Sequence, residues 1–557
     1  MEKRLFLAVF LSIAFLFGWG ALAPRIFPGL RQAPPEPAAT TTIAQGETGL
    51  PPSDTAQPAT PQPSAPVAAA PSSAPQVAPV SARMVETPEI RSELWRARFS
   101  NRGGQLVSFS LLDYPLKPGE GPVDLVAPRP QQNSDYPFAL VSANPRFNRL
   151  VNESLYEVER STGRDGQVVR FRWAGEGISV EKTFKLDPNR YLFDFEVRVT
   201  PATIPYRVVI GPGLRQILPE EEYSQFMTTG AGVVQYDDDL ETINREKSGG
   251  FRAYEGKPQF TGLQDNYFLA VMIPRQGSSA TFRETTVPAI SQEGEPRKEL
   301  FAGVNAQNGV VAGTAYFGPK QVKTLDALGL GNTLQFGMFG FISRILLTAL
   351  IWFNTFTHNF GWAIVVLTFF IKLALYPLQH KSMVSMKKMQ AVQPKANAIK
   401  DRYRKAKTDP EQRQKMNLEM MKLYKDEGIN PASGCVPLLL QLPILWGFYT
   451  LLSRAIELRG EPWILWIHDL SVKDPYYITP ILMTVTMFLQ QWLTPTTVDP
   501  VQRKVFLAMP VIFGWLFKEF PAGLVLYWLV QNILSIIQQL ITNRYWSSHP
   551  AAEKKGA

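Results

Sequence analysis

Six long apolar runs constrain the fold of this 557-residue chain more than any other feature. They cover approximately residues 5–22, 361–380, 435–453, 478–494, 504–519 and 523–542. A helix needs about 20 mostly apolar residues to cross the hydrocarbon core of a bilayer, and most of these runs approach that length. The sequence therefore predicts a polytopic α-helical membrane protein with six spans, of which the fifth is short.

The first run resembles a secretory signal, because Lys3 and Arg4 precede it and Ala21-Leu-Ala23 is typical of a cleavage site. Pro24 follows directly and disfavours cleavage at that point. No cysteine lies nearby, which excludes a lipoprotein signal. We therefore predict an uncleaved N-terminal transmembrane anchor over residues 1–24.

Basic residues between the runs predict the topology, because positively charged loops stay in the cytoplasm. Lys3 and Arg4, the basic segment 383–430, the loop with Arg503 and Lys504, and the tail 546–557 all lie on one side if six spans are present. This topology places both termini in the cytoplasm and the large segment between the first two runs outside it. The expected location is therefore a bacterial inner membrane, with a large periplasmic region.

The stretch 336–356 is a competing span, and it contains Arg344. A span here would move the basic segment 383–430 to the outer side, against the distribution of charge. We therefore predict an amphipathic helix over residues 336–358 that lies in the outer membrane interface.

The region between the first two runs divides by composition. Residues 25–85 are rich in Pro and Ala and lack a core, which predicts a disordered linker. Residues 86–325 alternate β-rich runs with turn signals such as Asp187-Pro-Asn189, which predicts an all-β sandwich of antiparallel sheets. Histidine is absent from residues 25–350, and Cys435 is the single cysteine of the chain. These facts exclude an intrachain disulfide, and they exclude a His–Cys metal site in the sandwich.

The segment 383–430 predicts a cytoplasmic helical hairpin. Apolar residues recur there at three- and four-residue steps, and Asp409 followed by Pro410 is typical of a new helix start. Three interpretations of its positive charge remain open: contact with anionic lipid, contact with an RNA-containing partner such as a ribosome, or topology alone. The basic residues that we assign to recruitment of partners are Lys387, Lys388, Lys395, Arg402, Arg404 and Lys405.

Lys372 stands in the middle of the second run. A charge at that depth costs at least ~2.5–3.5 kcal/mol, so such residues usually face water, a partner or a substrate. Lys381 marks the polar end of the run about 13 Å away along a helix, and a lysine side chain reaches roughly half that distance. We therefore favour a hydrated or substrate-facing cavity over a side chain that snorkels to the surface.

Other polar residues share this helical spacing. Thr368, Lys372 and Tyr376 lie at steps of four residues and predict one polar face. Such side chains join helices in some membrane proteins, but together with a lysine they favour a hydrated interior. No phosphate-binding loop is present, so transport would need another energy source. The third, fourth and sixth runs add Gln441, Gln490, Gln491, Gln531, Asn532, Ser535, Gln538, Gln539 and Thr542.

Four motifs resemble the YidC/Oxa/Alb family of membrane protein insertases, of the Gram-negative type with a large periplasmic domain. The resemblance extends over nearly the whole chain. The motifs are Asn430-Pro-Ala-Ser-Gly-Cys-Val-Pro-Leu-Leu-Leu-Gln-Leu-Pro-Ile444, Leu465-Trp-Ile-His-Asp-Leu470 with Asp474-Pro-Tyr-Tyr477, Pro495-Thr-Thr497 and Phe520-Pro-Ala-Gly-Leu-Val-Leu-Tyr527.

The resemblance implies an insertase and chaperone that inserts, folds and assembles inner-membrane proteins, alone or with the Sec translocon. It implies a five-helix core over residues 361–545 around a hydrophilic groove, and a periplasmic β-supersandwich. It implies no cofactor and no enzymatic activity. The partners that it implies are nascent membrane proteins, Sec components, and ribosomes or targeting factors at the hairpin.

The resemblance also assigns the groove. The family's groove arginine falls on Lys372, which keeps the charge but loses the two-pronged geometry of arginine. The family's aromatic pair, often Tyr-Tyr, falls on Tyr527 and Trp528. Two other functions compete with insertion: a transporter or channel for small anions, and a carbohydrate enzyme with paired carboxylates. The predicted groove residues are Lys372, Thr368, Tyr376, Gln441, Tyr527, Trp528, Gln531 and Asn532.

Overall fold

The protein is represented by a computed structural model. It describes residues 78–117, 119–127, 135–163, 166–215, 230–237, 239–244, 250–277, 279–287, 297–403, 409–429, 436–493 and 500–548. The predicted anchor, residues 25–77 of the predicted linker, the tail beyond residue 548, and both Arg404 and Lys405 lie outside these ranges. Residues 78–85 of that linker are described, and Val80 forms an antiparallel bridge with Ala174 of the sandwich.

Among the described residues, eighteen strands form three antiparallel sheets. A nine-stranded sheet has the order β12-β11-β14-β15-β18-β9-β8-β7-β6, a five-stranded sheet has the order β13-β16-β17-β10-β5, and a four-stranded sheet has the order β1-β2-β3-β4. The strands are β1 Glu89–Arg91, β2 Trp95–Ser100, β3 Gln105–Pro115, β4 Pro122–Asp124, β5 Ala139–Val141, β6 Glu157–Gly163, β7 Gly166–Gly175, β8 Ile178–Leu186, β9 Leu192–Thr200, β10 Arg207–Ile210, β11 Ala231–Tyr236, β12 Asp239–Ile243, β13 Phe251–Tyr254, β14 Phe260–Gln264, β15 Phe268–Gln276, β16 Ala280–Val287, β17 Arg297–Asn305 and β18 Val310–Pro319.

Aromatic residues hold two of these sheets face to face. In β9 every second residue is buried, as expected for a strand with one face in a core. The ring of Phe109 in β3 lies 6.0 Å from that of Phe193 in β9 and 5.6 Å from that of Phe317 in β18. Stacked and tilted ring contacts of this kind stabilise the sandwich beyond the burial of apolar area. The predicted antiparallel β-sandwich is confirmed.

A lysine is buried inside this sandwich. Lys182 in β8 has no exposed surface, and its Nζ donates hydrogen bonds to the backbone oxygens of Gly103 (2.6 Å) and Phe138 (2.7 Å). Burial lowers the pKa of Lys182 to about 7, and the nearby carboxylate of Asp135 opposes that shift.

Nine α-helices accompany the sheets in the described part of the chain. The first two are short, and α1 packs against β5. The others contain most of the predicted membrane region. They are α1 Pro145–Glu153, α2 Val322–Ala327, α3 Gly340–Thr357, α4 Phe360–Arg402, α5 Pro410–Asp426, α6 Val436–Arg454, α7 Ile478–Leu493, α8 Pro500–Phe517 and α9 Ala522–Ser548.

Within the described residues, three helical segments are long and apolar enough to cross a membrane: α3, α4 and Ala522–Arg544 of α9. Two shorter apolar segments are α7 and the last part of α8, Phe506–Phe517. Large apolar side chains such as Val485, Trp492 and Trp515 lie exposed on these helices, as expected for surfaces that face lipid. The helix predicted over residues 336–358 is α3, and its position in the interface stays a prediction.

Helix α4 is continuous from Phe360 to Arg402 and contains Pro377 and Pro394. The second apolar run and the start of the basic segment therefore form one helix. Helix α5 begins at Pro410, and the carboxylate of Asp409 accepts a hydrogen bond from the N–H of Glu411, which confirms the predicted N-cap. Two ion pairs join α5 and its end to α4: Arg402–Glu419 at 2.5 Å and Lys395–Glu427 at 2.6 Å.

The sandwich and α2 contact the end of α6 and the segment that follows it. The Nδ2 of Asn266 donates to the backbone oxygen of Ser453 at 3.0 Å, and Glu457 accepts from the N–H of Val322 at 3.1 Å. Arg459 donates to the backbone oxygens of Pro115 (3.0 Å) and Leu116 (2.9 Å). These polar contacts fix the end of α6 against the sandwich.

A candidate substrate groove

The centre of the candidate site is the contact between Lys372 of α4 and Ser535 of α9. The Lys372 side chain is 8% exposed, and its Nζ donates a hydrogen bond of 2.7 Å to the Ser535 hydroxyl. That hydroxyl donates in turn to the backbone oxygen of Gln531, also at 2.7 Å. The predicted charge therefore lies inside the helical region, against a polar face of α9.

A second polar contact on the same face joins α6 to α9. Gln441 donates from Nε2 to the hydroxyl of Tyr527, and Gln531 donates from Nε2 to the Oε1 of Gln441 at 3.3 Å. The Tyr527 ring is stacked on Phe448 of α6, with 4.2 Å between ring centroids. Because Tyr527, Gln531 and Ser535 are four residues apart, they form one strip along α9. We call Lys372, Gln441, Tyr527, Gln531 and Ser535 the polar strip.

Two further polar residues of α9 face a different helix. The Nδ2 of Asn532 lies 3.2 Å from the Thr486 hydroxyl and 3.4 Å from the backbone oxygen of Met483, both in α7. Gln539 donates from Nε2 to the backbone oxygen of Leu493 at 2.6 Å. These contacts join α9 to α7 and match the interhelical hydrogen bonds that stabilise membrane bundles. The structure thus places Asn532 apart from the polar strip.

The remaining predicted groove residues occupy three environments. Thr368 is buried one turn before Lys372, and its hydroxyl donates to the backbone oxygen of Ile364. Tyr376 is 41% exposed, and its ring is stacked on His380 at 5.7 Å. The ring of Trp528 packs on Phe513 and Phe517 of α8, at 6.3 Å and 5.3 Å. Thr368 and Tyr376 each lie four residues from Lys372 on α4, but Thr368 is buried whereas Tyr376 is exposed.

Two residues of the region were not among the predicted groove residues. Ser535 belonged to the polar pattern of the last run, but nothing in the sequence distinguished it as the partner of Lys372. His380 continues the spacing of Thr368, Lys372 and Tyr376 by one more step of four residues. That continuation was a signal for a longer polar face on α4.

The predicted basic residues divide into two groups. Lys387 donates to the backbone oxygen of Thr542 at 3.2 Å and therefore joins α4 to α9, and Lys388 is half-buried. Lys395 and Arg402 are exposed and pair with Glu427 and Glu419. Lys395 and Arg402 therefore remain accessible to a partner, whereas Lys387 contributes to helix packing.

The polar strip offers hydrogen bonds and one positive charge. No group of three or more His, Cys, Asp or Glu side chains suited to a metal ion occurs in the described part of the chain. The chemistry available in the strip is binding of carboxylates, hydroxyls and amides.

The fold and the strip define a class: a polytopic membrane protein with a β-sandwich domain and a polar site between its helices. Family profiles match most of the chain, with "60Kd inner membrane protein" over residues 352–549 and "YidC periplasmic domain" over residues 87–349. Membrane protein insertase YidC of Geobacter metallireducens is 34% identical, over 100% of both chains. The same-named protein of Campylobacter jejuni is 35% identical, over 86% of this chain and 87% of its own.

The chain therefore belongs to the YidC family of membrane protein insertases. It is an inner-membrane protein with a periplasmic domain. An active YidC insertase crystallised with its first transmembrane domain resolved is 20% identical and has a TM-score of 0.37, covering 84% of this chain and 95% of its own. The YidC family is not an enzyme family, and these relatives do not favour the anion transporter considered above.

Proposed function

We propose that this insertase moves membrane proteins into the bilayer by binding their polar parts along the polar strip. The observation that carries this proposal is the burial of the Lys372 side chain against Ser535. A lysine at this position attracts acidic residues of an incoming chain. Thr368, Tyr376, Trp528 and Asn532 are proposed to shape the surroundings of the strip.

A polar segment meets a large barrier in lipid, because each unsatisfied backbone group costs several kcal/mol there. A strip of amides and hydroxyls lowers that barrier by providing partners within the membrane. The apolar part of the same substrate gains about 25 cal/mol for each Å² that leaves water. Partitioning of the apolar segment therefore drives the transfer without a nucleotide.

The proposed topology has six spans, with both termini in the cytoplasm. The anchor takes residues 1–24, the linker 25–85, the β-supersandwich 86–325 and the interfacial helix 336–358. The insertase core takes residues 361–545, the cytoplasmic hairpin within it 383–430, and the tail 546–557. The positive charge of the hairpin and tail supports this arrangement.

The proposed partners follow from the exposed charge. Nascent membrane proteins are the substrates of an insertase. The exposed Lys395 and Arg402 support contact between the hairpin and ribosomes, targeting factors or anionic lipid. The Sec translocon and its accessory subunits are proposed to contact the periplasmic side.

Charge reversal on α4 tests the groove. We expect Lys372→Arg to support growth and insertion in a depletion strain, because the positive charge is kept. Lys372→Glu is expected to impair insertion of substrates with acidic N-terminal tails, because like charges repel. The matched control is Lys381→Glu, since Lys381 lies on the same helix but is exposed. Equal insertion by the wild type and Lys372→Glu, measured by protease protection of the tail, would reject the groove mechanism.

Removal of the sandwich distinguishes an insertase from a carbohydrate enzyme, which would lose its activity with the sandwich. Deletion of most of residues 86–320 is expected to leave insertion largely intact, because the polar strip lies in α4, α6 and α9. The variant that lacks the sandwich must still be present in the membrane at wild-type levels. Loss of insertion at a normal protein level would contradict this expectation.

A further inference from the structure

One buried side chain near the strip has no hydrogen-bond partner in the part of the chain that the structure describes. Gln538 of α9 is 6% exposed, and neither its Nε2 nor its Oε1 has a hydrogen-bond partner among the described residues. A buried amide without a partner destabilises a folded protein, because it has lost its bonds to water. Hydrogen bonding among the described residues does not account for this buried glutamine.

The position of Gln538 places it beside α4. Ser535, three residues earlier, accepts from Lys372, and Thr542, four residues later, accepts through its backbone oxygen from Lys387. Residues three and four apart share one face of a helix. Gln538 therefore lies on the face of α9 that continues the polar strip, between two contacts with α4.

Its neighbour shows what a structural glutamine does on this helix. Gln539 is buried to the same degree, at 5% exposed, and its Nε2 donates to the backbone oxygen of Leu493 in α7. The two amides point about 100° apart around the helix. Gln539 joins two helices, whereas Gln538 lies on the face of the strip with no hydrogen-bond partner among the described residues.

A second buried group on the same face also has no hydrogen-bond partner within the described ranges. The Oε1 of Gln531 is buried and has no partner among the described residues, whereas its Nε2 donates to Gln441. Gln531 and Gln538 are two helical turns apart, about 10.5 Å along the axis. The face therefore presents two acceptors, the Oε1 atoms of Gln531 and Gln538, and one donor group, the Nε2 of Gln538, to a substrate in the strip.

We propose that Gln538 is a further substrate-binding residue whose side-chain amide pairs with a backbone peptide group of the segment in transit. This inference rests on the proposed function and extends it. A side-chain amide carries one donor group and one acceptor, as a peptide group does. Unfolded backbone inside a membrane needs a hydrogen-bond partner for its N–H groups and another for its carbonyl groups. Lys372 thus recognises acidic side chains, whereas Gln538 binds the chain whatever its sequence.

The test compares Gln538→Leu with the matched variant Gln539→Leu in the full-length protein, purified and placed in proteoliposomes. The substrates are two single-span proteins that differ only in an acidic or a neutral N-terminal tail. We expect Gln538→Leu to lower insertion of both substrates about threefold to tenfold, the effect of one lost hydrogen bond. Its melting temperature should equal or exceed that of the wild type. Gln539→Leu should instead lower the melting temperature.

A photo-reactive amino acid gives an independent measurement. Placed at position 538, it is expected to crosslink to a stalled substrate chain, and placed at position 539 it should crosslink several-fold less. A fall in melting temperature for Gln538→Leu as large as that for Gln539→Leu would overturn the inference, because it would show a structural role.

Lys372→Glu, assayed in the same vesicles, separates the inference from the proposed function. If Lys372→Glu impairs the acidic substrate while Gln538→Leu changes neither substrate, the inference about Gln538 fails and the groove stands. If neither variant changes insertion, the groove itself is rejected and the inference with it.

Discussion

Lys372 and Ser535, 163 residues apart in the chain, are joined by a hydrogen bond of 2.7 Å between α4 and α9. The direction of the bond is fixed, because the Ser535 hydroxyl has one proton and donates it to the backbone oxygen of Gln531. Ser535 therefore accepts from Lys372. A protonated lysine has two further N–H groups, which remain to bind a carboxylate of a substrate.

The first prediction concerns the strength of this contact. Ser535→Ala should lower the free energy of unfolding by about 1–3 kcal/mol, because the Lys372 amino group loses its acceptor. In a Lys372→Met background the same change should have little effect. The loss of stability caused by Ser535→Ala in the wild type, minus the loss in the Lys372→Met background, isolates the interaction between the two residues. It is measured as a double-mutant cycle on protein in detergent. An equal loss of stability in both backgrounds would show that Lys372 and Ser535 are not coupled.

A second prediction concerns Asn359, which has two roles at the start of α4. Its Oδ1 caps the helix by accepting from the N–H of Trp362 at 3.1 Å. Its Nδ2 donates to the backbone oxygens of Pro462 (3.1 Å) and Trp463 (3.2 Å) in the loop after α6. Asn359→Ser keeps a capping oxygen and loses the loop contacts, whereas Asn359→Ala loses both.

We therefore expect Asn359→Ala to be less stable than Asn359→Ser by about 1 kcal/mol, the usual effect of an N-cap. Asn359→Ser should in turn be less stable than the wild type. Melting temperatures of the three proteins check this order. Identical values for the two variants would mean that the cap contributes nothing.

The third prediction concerns the close approach of α7 and α8 at Gly514. A Cβ added at Gly514 would overlap the Oγ1 of Thr484. Gly514→Ala should therefore destabilise the protein by about 1–3 kcal/mol, because the helices must separate. Thr484→Ala in the same protein should restore most of that loss. Failure of the second change to restore stability would show that another neighbour determines the spacing.

The sequence predicted the elements of this fold better than the directions of its side chains. The alternation in β9 and the Asp409 cap are local signals, and both hold in the structure. The three sheets and their strand order depend on contacts between distant residues. No window of sequence contains that information, so the strand order was not predictable.

Neighbouring polar residues on α9 show the same limit within the site. Tyr527 faces α6 and Trp528 faces α8, although the family resemblance treats them as one pair. Successive helical residues point about 100° apart, so an adjacent pair meets two different neighbours. Helical spacing identifies which residues share a face, but it does not identify the helix that the face meets. Packing of the whole bundle decides which residues enter the groove.

The last prediction concerns Lys182 in the sandwich, whose pKa burial lowers to about 7 while Asp135 opposes the shift. An unfolded lysine has a pKa of about 10.4. Between about pH 7 and 10 the unfolded chain therefore binds up to one more proton at this position than the folded protein. Stability rises with pH wherever the unfolded state binds more protons, so the contribution of Lys182 to the free energy of unfolding increases across this window.

Lys182→Met removes this titration and serves as the control. The free energy of unfolding of the wild type, relative to Lys182→Met, should increase from pH 7 to pH 9.5. The slope should be at most ~1.4 kcal/mol for each pH unit, the value for one proton. Denaturant titrations of the full-length proteins at several pH values measure it. Parallel curves for the two proteins would mean that Lys182 keeps an ordinary pKa, held by the backbone oxygens of Gly103 and Phe138.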